Sequence, residues 1–281
     1  MSKAKILIFI FWIQLSFSQT SGAIYKQLKK FNTLSSLLYL AAHPDDENTR
    51  LISLFSNQYN TRTGYLSMTR GDGGQNLIGT ELREGLGLIR TQELLEARKI
   101  DGGEQYFTTA NDFGYSKNPE ETLTIWNKKE VLAQIVFRIR KFKPDIIVHR
   151  FDHRTPGSTH GHHTSSSMLS FEAFNLANDP NAFPEQLDKV SLWQPKRQFY
   201  NTSWWAYGSK KRFEKADKSN MIALESNPTD YILGRTNAEV AAKSRSQHKS
   251  QGFGSSPQLG SQLEYLEWIN GDKPCLLYTS D

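Results

Sequence analysis

His43-Pro44-Asp45-Asp46-Glu47 puts one imidazole and three carboxylates directly behind the apolar run Leu37-Leu38-Tyr39-Leu40. Groups of these types can hold a metal ion or move protons. The acids also have a plainer use: Asp45 or Asp46 would cap a helix that begins near Glu47, with Glu47 favourable in its first turn. A second group lies far downstream, where residues 149–163 carry five of the seven histidines. Pro156 and Gly157 make the middle of that stretch a loop, and 164–174 reads as a helix. His160 and His163 stand three apart at the mouth of that helix, so both can face one point. Taken singly, His149, His153 and His162 read as structural or surface histidines. The pair is different, because one His and one Asp of the first group with one His of the second make a three-ligand oxygen/nitrogen set. Catalytic zinc sites leave such a set open for water, whose pKa the ion brings to about 7. A carboxylate and an imidazole left over would serve as general base and acid. The one cysteine, Cys275, cannot close an internal disulfide, so any metal here is held by His and carboxylate.

The elements that must position these groups follow from periodicity. After Leu37, short apolar runs alternate with longer amphipathic segments, the pattern of an α/β domain with a largely parallel sheet flanked by helices. Strands are expected at 37–42, 63–68 and 145–149, with a further strand of aromatic ends at 198–205. Helices are expected at 47–58, 82–100, 126–142 and 236–250, and residues 101–125 read as a loop. His43 then sits at the carboxyl end of a strand, where open α/β sheets bind ligands. Gly71-Asp72-Gly73-Gly74-Gln75 lies on the same rim, but it lacks Gly-Lys-Ser/Thr and GxGxxG spacing. A wall of the site is a better reading than a phosphate cradle, and a nucleotide-binding protein would rest on glycine content alone. Arg70 and Arg90 could meet substrate or pair with nearby acids. Trp204, Trp205 and Tyr207 read first as core residues and second as faces for a sugar.

Residues 1–18 stand apart from the fold. Lys3 and Lys5 precede the apolar stretch Ile6–Ile13, and Ser16-Phe17-Ser18 supplies small residues for a signal peptidase, which predicts cleavage after Ser18 and export to the periplasm or the exterior. No later segment is long and apolar enough to span a membrane. Losing Lys3 and Lys5, with no acid among those residues, takes the formal net charge from +5 to +3, too mild to imply nucleic acid. Residues 19–270 read as one domain. Residues 262–269 are apolar-periodic, and 271–281 is a tail that reads as cut short.

The order of these motifs resembles the PIG-L/LmbE family of zinc-dependent de-N-acetylases. The resemblance is carried by His43-Pro44-Asp45-Asp46-Glu47, Thr69-Arg70-Gly71 with the glycine loop, Arg90-Thr91-Gln92-Glu93-Leu94, the Pro-Asp-Ile-Ile-Val strand and His160-x-x-His163, with His248-Lys249-Ser250-Gln251 as a weaker late element. It implies a Rossmann-like (LmbE-like) fold and hydrolysis of N-acetyl groups from an amino sugar or glycoconjugate, releasing acetate. By motif position it implies His43, Asp46 and His163 as ligands of Zn2+, Asp45 as general base, and His160 as the group that stabilises the oxyanion and protonates the leaving amine. The same donor set admits iron or cobalt. Many relatives carry an acid where this chain has His162, which leaves the partner of His160 open, with Asp152 as a candidate. The rival reading is a secreted glycan-binding protein that keeps the pocket without turnover.

Overall fold

The computed structural model describes residues 20–156, 159–254 and 256–274; the expected signal segment and Cys275 lie outside them. In chain order the elements are α1 (Ser21–Phe31), β1 (Ser36–Ala41), α2 (Thr49–Ser53), β2 (Arg62–Ser67), α3 (Glu84–Asp101), β3 (Glu104–Phe107), α4 (Pro119–Ile125), α5 (Lys128–Phe142), β4 (Ile146–His149), α6 (Gly161–Leu176), β5 (Arg197–Thr202), α7 (Lys210–Lys215), β6 (Met221–Glu225), the short ribbon β7 (Thr229–Asp230) and β8 (Arg235–Thr236), α8 (Asn237–Arg245) and β9 (Leu263–Gly271).

The main sheet runs β3-β2-β1-β4-β5-β9-β6. From β3 to β5 the neighbours are parallel, and β9 is antiparallel to both β5 and β6. β1 is buried along its whole length, because a parallel strand flanks it on each side and helices cover both faces. Alternation sends Leu38 and Leu40 into a core with Val131, Ile135, Ile139 and Leu169 of α5 and α6. Leu37, Tyr39 and Ala41 face the other core, with Leu51, Ile52 and Leu94 of α2 and α3. The strand order reverses between β1 and β4, so the loops leaving their carboxyl ends diverge and open a crevice.

Several boundaries differ from the sequence expectation for local reasons. The helix expected at 47–58 begins later, since Asn48 is the cap and accepts from the amides of Arg50 and Leu51, and its last turn, Leu54–Gln58, is a π-helix. The loop expected at 101–125 contains β3 and α4; β3 is a short half-buried edge strand, and α4 is set off from α5 by Asn127 at φ 53°. The helix expected at 236–250 starts in a capping box of Thr236 and Glu239 and stops at Arg245. The apolar-periodic 262–269 becomes β9, which lies between β5 and β6. Core burial of Trp204 and Trp205 is overturned: both follow β5 in a turn, and Trp205 is 76% exposed.

Candidate metal centre

The loop after β1 is bent so that neighbouring carboxylates part company. Asp45 has φ 102°, which a non-glycine residue holds at a cost of about 1–3 kcal/mol and keeps only where its surroundings dictate it. Here they do. Its amide donates to Glu47 Oε2 at 2.9 Å, and its carbonyl accepts from Arg245 Nη1 of α8 at 3.0 Å. The Tyr65 hydroxyl on β2 donates to the His43 carbonyl at 2.5 Å, and Gln251 Nε2 donates to the Pro44 carbonyl at 2.8 Å.

Asp46 faces the histidines. Its Oδ2 accepts the His43 amide at 2.7 Å and lies 3.1 Å from His43 Nδ1, while its Oδ1 is 3.5 Å from His163 Nε2. The His163 ring is stacked on Phe151 at 3.9 Å, which fixes its direction. Burial would raise the Asp46 pKa, but the adjacent His163 and His43 outweigh it and hold the carboxyl below the usual carboxylate range. Asp45 goes the other way, raised by burial and then by the charge of Asp46. Two consecutive carboxyls are thus driven towards opposite proton states, the arrangement that separates a ligand from a base.

His43, Asp46 and His163 each offer a ligand atom within 4.8 Å of the others. Two imidazoles and a carboxylate without thiolate suit Zn2+ or a neighbouring divalent ion, and the donor set leaves a coordination position free. The residues therefore fit the ion that the motif implies. His43, His160 and His162 form a second such group, but it shares His43, and His162 is fully buried. The set with Asp46 borders a cavity of about 690 Å³, which Asp45 and Asp46 line with Arg150, Trp204, Arg245 and Tyr265. A larger cavity of about 860 Å³, lined by Arg70, Gly74, Asp112 and Phe113, carries none of these groups, so the chemistry singles out the smaller one.

His160 is the N-cap of α6. Its Nδ1 accepts the amide of His162 at 3.0 Å, which places the ring proton on Nε2, and the ring is also hydrogen-bonded to the backbone of Gly114. Burial and then the nearby His43 lower its pKa, so the ring is a neutral donor. The exposed Tyr115 packs edge-on against it at 5.0 Å. Asp152 is not its partner: that carboxylate is held by Arg154 at 2.8 and 3.0 Å. His149 and His153 stay outside the cluster, His149 buried with its pKa pushed down to about 3 and His153 stacked on Phe171 at 4.3 Å. His162, which reads as structural in isolation, lies inside the cluster, its Nδ1 2.9 Å from His43 Nε2.

Residues to which the sequence assigned no part in the centre support it from behind, and one of them, Arg98, carried no signal there at all. Glu47 is not in the helix's first turn; it is 2% exposed and accepts from His248 Nε2 at 2.7 Å and Arg98 Nη2 at 3.3 Å. Burial would raise its pKa, but His248 and Arg98 pull it down to about 2. Ser250 donates through its amide and hydroxyl to Glu93 at 2.6 and 2.7 Å, so the late His-x-Ser-Gln element is tied to the Arg-Thr-Gln-Glu helix. Arg90 is structural, its Nη2 donating to the Gln75 carbonyl at 2.8 Å under the glycine loop. A Cβ on Gly74 would collide with that guanidinium, which explains the glycine without a phosphate. Arg70 is partly exposed, its Nη2 4.0 Å from Asp72 Oδ1.

Residues 38–174 match the family model described as PIG-L: GlcNAc-PI de-N-acetylase. No curated protein is significantly similar to the chain in sequence. Among solved structures, N,N'-diacetylchitobiose deacetylase from Pyrococcus horikoshii is similar at a TM-score of 0.56 and 18% identity, covering 84% of this chain and 82% of that one. The 4-carboxy-2-hydroxymuconate hydratase from Pseudomonas putida is similar at a TM-score of 0.55 and 14% identity, covering 85% of this chain and 98% of that one. At these identities the likeness establishes the LmbE-type fold, and the two named reactions differ, so the reaction must be argued from the site.

Proposed function

We propose that this chain, which over residues 38–174 belongs to the PIG-L family, is an exported metal-dependent hydrolase that removes N-acetyl groups from an amino sugar or glycoconjugate. The observation that carries the reading is the opposed setting of Asp45 and Asp46, with Asp46 turned to His43 and His163 and Asp45 left over beside the cavity. A hydratase of the same fold would not need an amide-cleaving set, but it shares the architecture, so the two consecutive acids matter more than the fold.

His43, Asp46 and His163 would hold the ion, with Zn2+ the expected metal and iron or cobalt admitted by the same donors. When bound, the ion supplies Lewis acidity that polarises a carbonyl and acidifies water. Asp45, its pKa raised, accepts a proton from the attacking water as the new C–O bond forms. His160 donates its Nε2–H to the oxygen that gains negative charge. The C–N bond then breaks, the proton held by Asp45 goes to the amine nitrogen, and acetate and a free amino sugar leave. Because His160 is neutral, it serves better as that donor than as the acid for the amine.

Trp204 on the cavity wall and the exposed Trp205 beside it are faces on which a sugar ring can stack. They would serve a glycan-binding protein equally well, and the retained base favours turnover. Export is supported by Lys3 and Lys5 ahead of the apolar Ile6–Ile13 and the small residues Ser16 and Ser18. The test is acetate release from N-acetylglucosamine oligomers by the metal-loaded protein, with Asp45→Asn alongside. The variant should lose a factor of about 10² or more in kcat while still binding the ion. Equal turnover in the variant removes Asp45 from the base role, and tight sugar binding without acetate release favours the binding protein.

A further inference from the structure

We propose that His162 is the positioning residue for both functional imidazoles, accepting a hydrogen bond from Nε2–H of the metal ligand His43 while its own backbone amide orients His160. The inference rests on the metal-site reading above and deepens it.

The two ring nitrogens of His43 have different surroundings. Nδ1 lies 3.1 Å from Asp46 Oδ2, on the side shared with His163. Nε2 lies 2.9 Å from His162 Nδ1, a hydrogen-bond distance in which one nitrogen carries the proton and the other is bare. An ion seated among Nδ1, Asp46 and His163 needs the lone pair of Nδ1, so the His43 proton must stand on Nε2. His162 Nδ1 is then the acceptor, and the His162 proton stands on its own Nε2. That atom is buried and has no hydrogen-bond partner among the described residues, so nothing there pulls the tautomer the other way.

The surroundings of His162 keep it in place. The side chain is fully buried, with Phe113 edge-on at 4.4 Å and Trp126 at 4.9 Å. Asp112 Oδ1 is 3.9 Å from His162 Nδ1, too far to compete with His43 for it. The same residue's amide donates to His160 Nδ1 at 3.0 Å, which sets the His160 proton on Nε2. One position at the start of α6 thus fixes the tautomer of a ligand with its ring and of the oxyanion donor with its backbone.

Metal-ligating histidines usually give their second N–H to a carboxylate or a carbonyl, and losing that partner weakens metal affinity about 10- to 100-fold. Here the partner is a neutral ring, which orients His43 without adding negative charge. The experiment is Co2+ and Zn2+ titration of chelator-stripped protein for the native chain, His162→Leu and His162→Asn, with thermal unfolding of each stripped protein as the control on folding. Leucine removes the acceptor, whereas the asparagine oxygen takes the place of Nδ1. The expected result is affinity about 10- to 100-fold weaker in His162→Leu and largely restored in His162→Asn. Affinity in His162→Leu equal to that of the native chain overturns the proposal, and so does a folded His162→Asn as weak as the leucine variant. Nitrogen-15 spectra of the native zinc-loaded protein give a reading independent of any variant: a slowly exchanging proton on His43 Nε2 is expected, and a proton on Nδ1 overturns it. If the native chain binds neither ion, the metal-site reading fails and takes this inference with it.

Discussion

Asp45 and Asp46 are chemically identical and adjacent, and only their backbone geometry separates their tasks. The turn at φ 102° sends Asp46 to His43 and His163 and leaves Asp45 at the cavity. His160 is distinguished from its neighbours by its backbone surroundings, since the amide on its Nδ1 places its ring proton on Nε2, the donor of the proposed reaction. His160→Ala should therefore lower kcat about 10²- to 10³-fold with little change in metal affinity. Rates and cobalt titrations on the same preparations check this, and an equal loss of both would mean that His160 holds the ion. The motif residues were legible in the sequence because a turn of five residues is a local event. Which nitrogen of His43 faces which partner was not, because His162 lies 119 residues away.

At the scale of elements, the centre depends on what stands behind the β1 loop. Glu47 links it to α3 through Arg98 and to the turn after α8 through His248. Breaking such a buried ion pair from one side typically costs about 3–5 kcal/mol, so Glu47→Gln should be destabilised by that order near neutral pH. The sign of its pH dependence follows from the pKa shifts. Glu47 is depressed to about 2 when folded, so its contribution is complete above its unfolded pKa of about 4.3 and is lost as pH falls towards 2. His248 is raised despite its burial, mainly by Glu47, so its contribution is complete below about pH 6.5 and is lost as pH rises through its higher folded value. Urea denaturation of the native chain and Glu47→Gln should show a gap that narrows from about pH 6 to about pH 3. A gap of constant size would assign the loss to packing instead. The sequence read Glu47 as a helix residue because capping preferences are local, whereas its partners come from residues 98 and 248.

For the molecule as a whole, the reversal of strand order between β1 and β4 sets two chemically incomplete loops against each other. An ion shared by His43 and Asp46 on one side and His163 on the other would cross-link them. Zinc at about 100 times its dissociation constant should stabilise the fold by about 2.7 kcal/mol, and His163→Ala should lose most of that gain. Calorimetry with and without chelator reads both. Export makes a separate prediction, that the secreted protein starts at Gln19, which intact mass measures directly. By itself the sequence determined the parallel α/β architecture, the placing of His43 at a strand end and of His160 and His163 at the mouth of a helix, because side-chain period, turn residues and short spacings act within a few positions. Only the tertiary structure decided that Glu47 is buried against His248, that Arg90 fills the glycine loop, that Trp205 is exposed and that His162 lies against His43. Those outcomes depend on which distant groups lose water together, and a polar group taken out of water must find its partner wherever the fold has brought one.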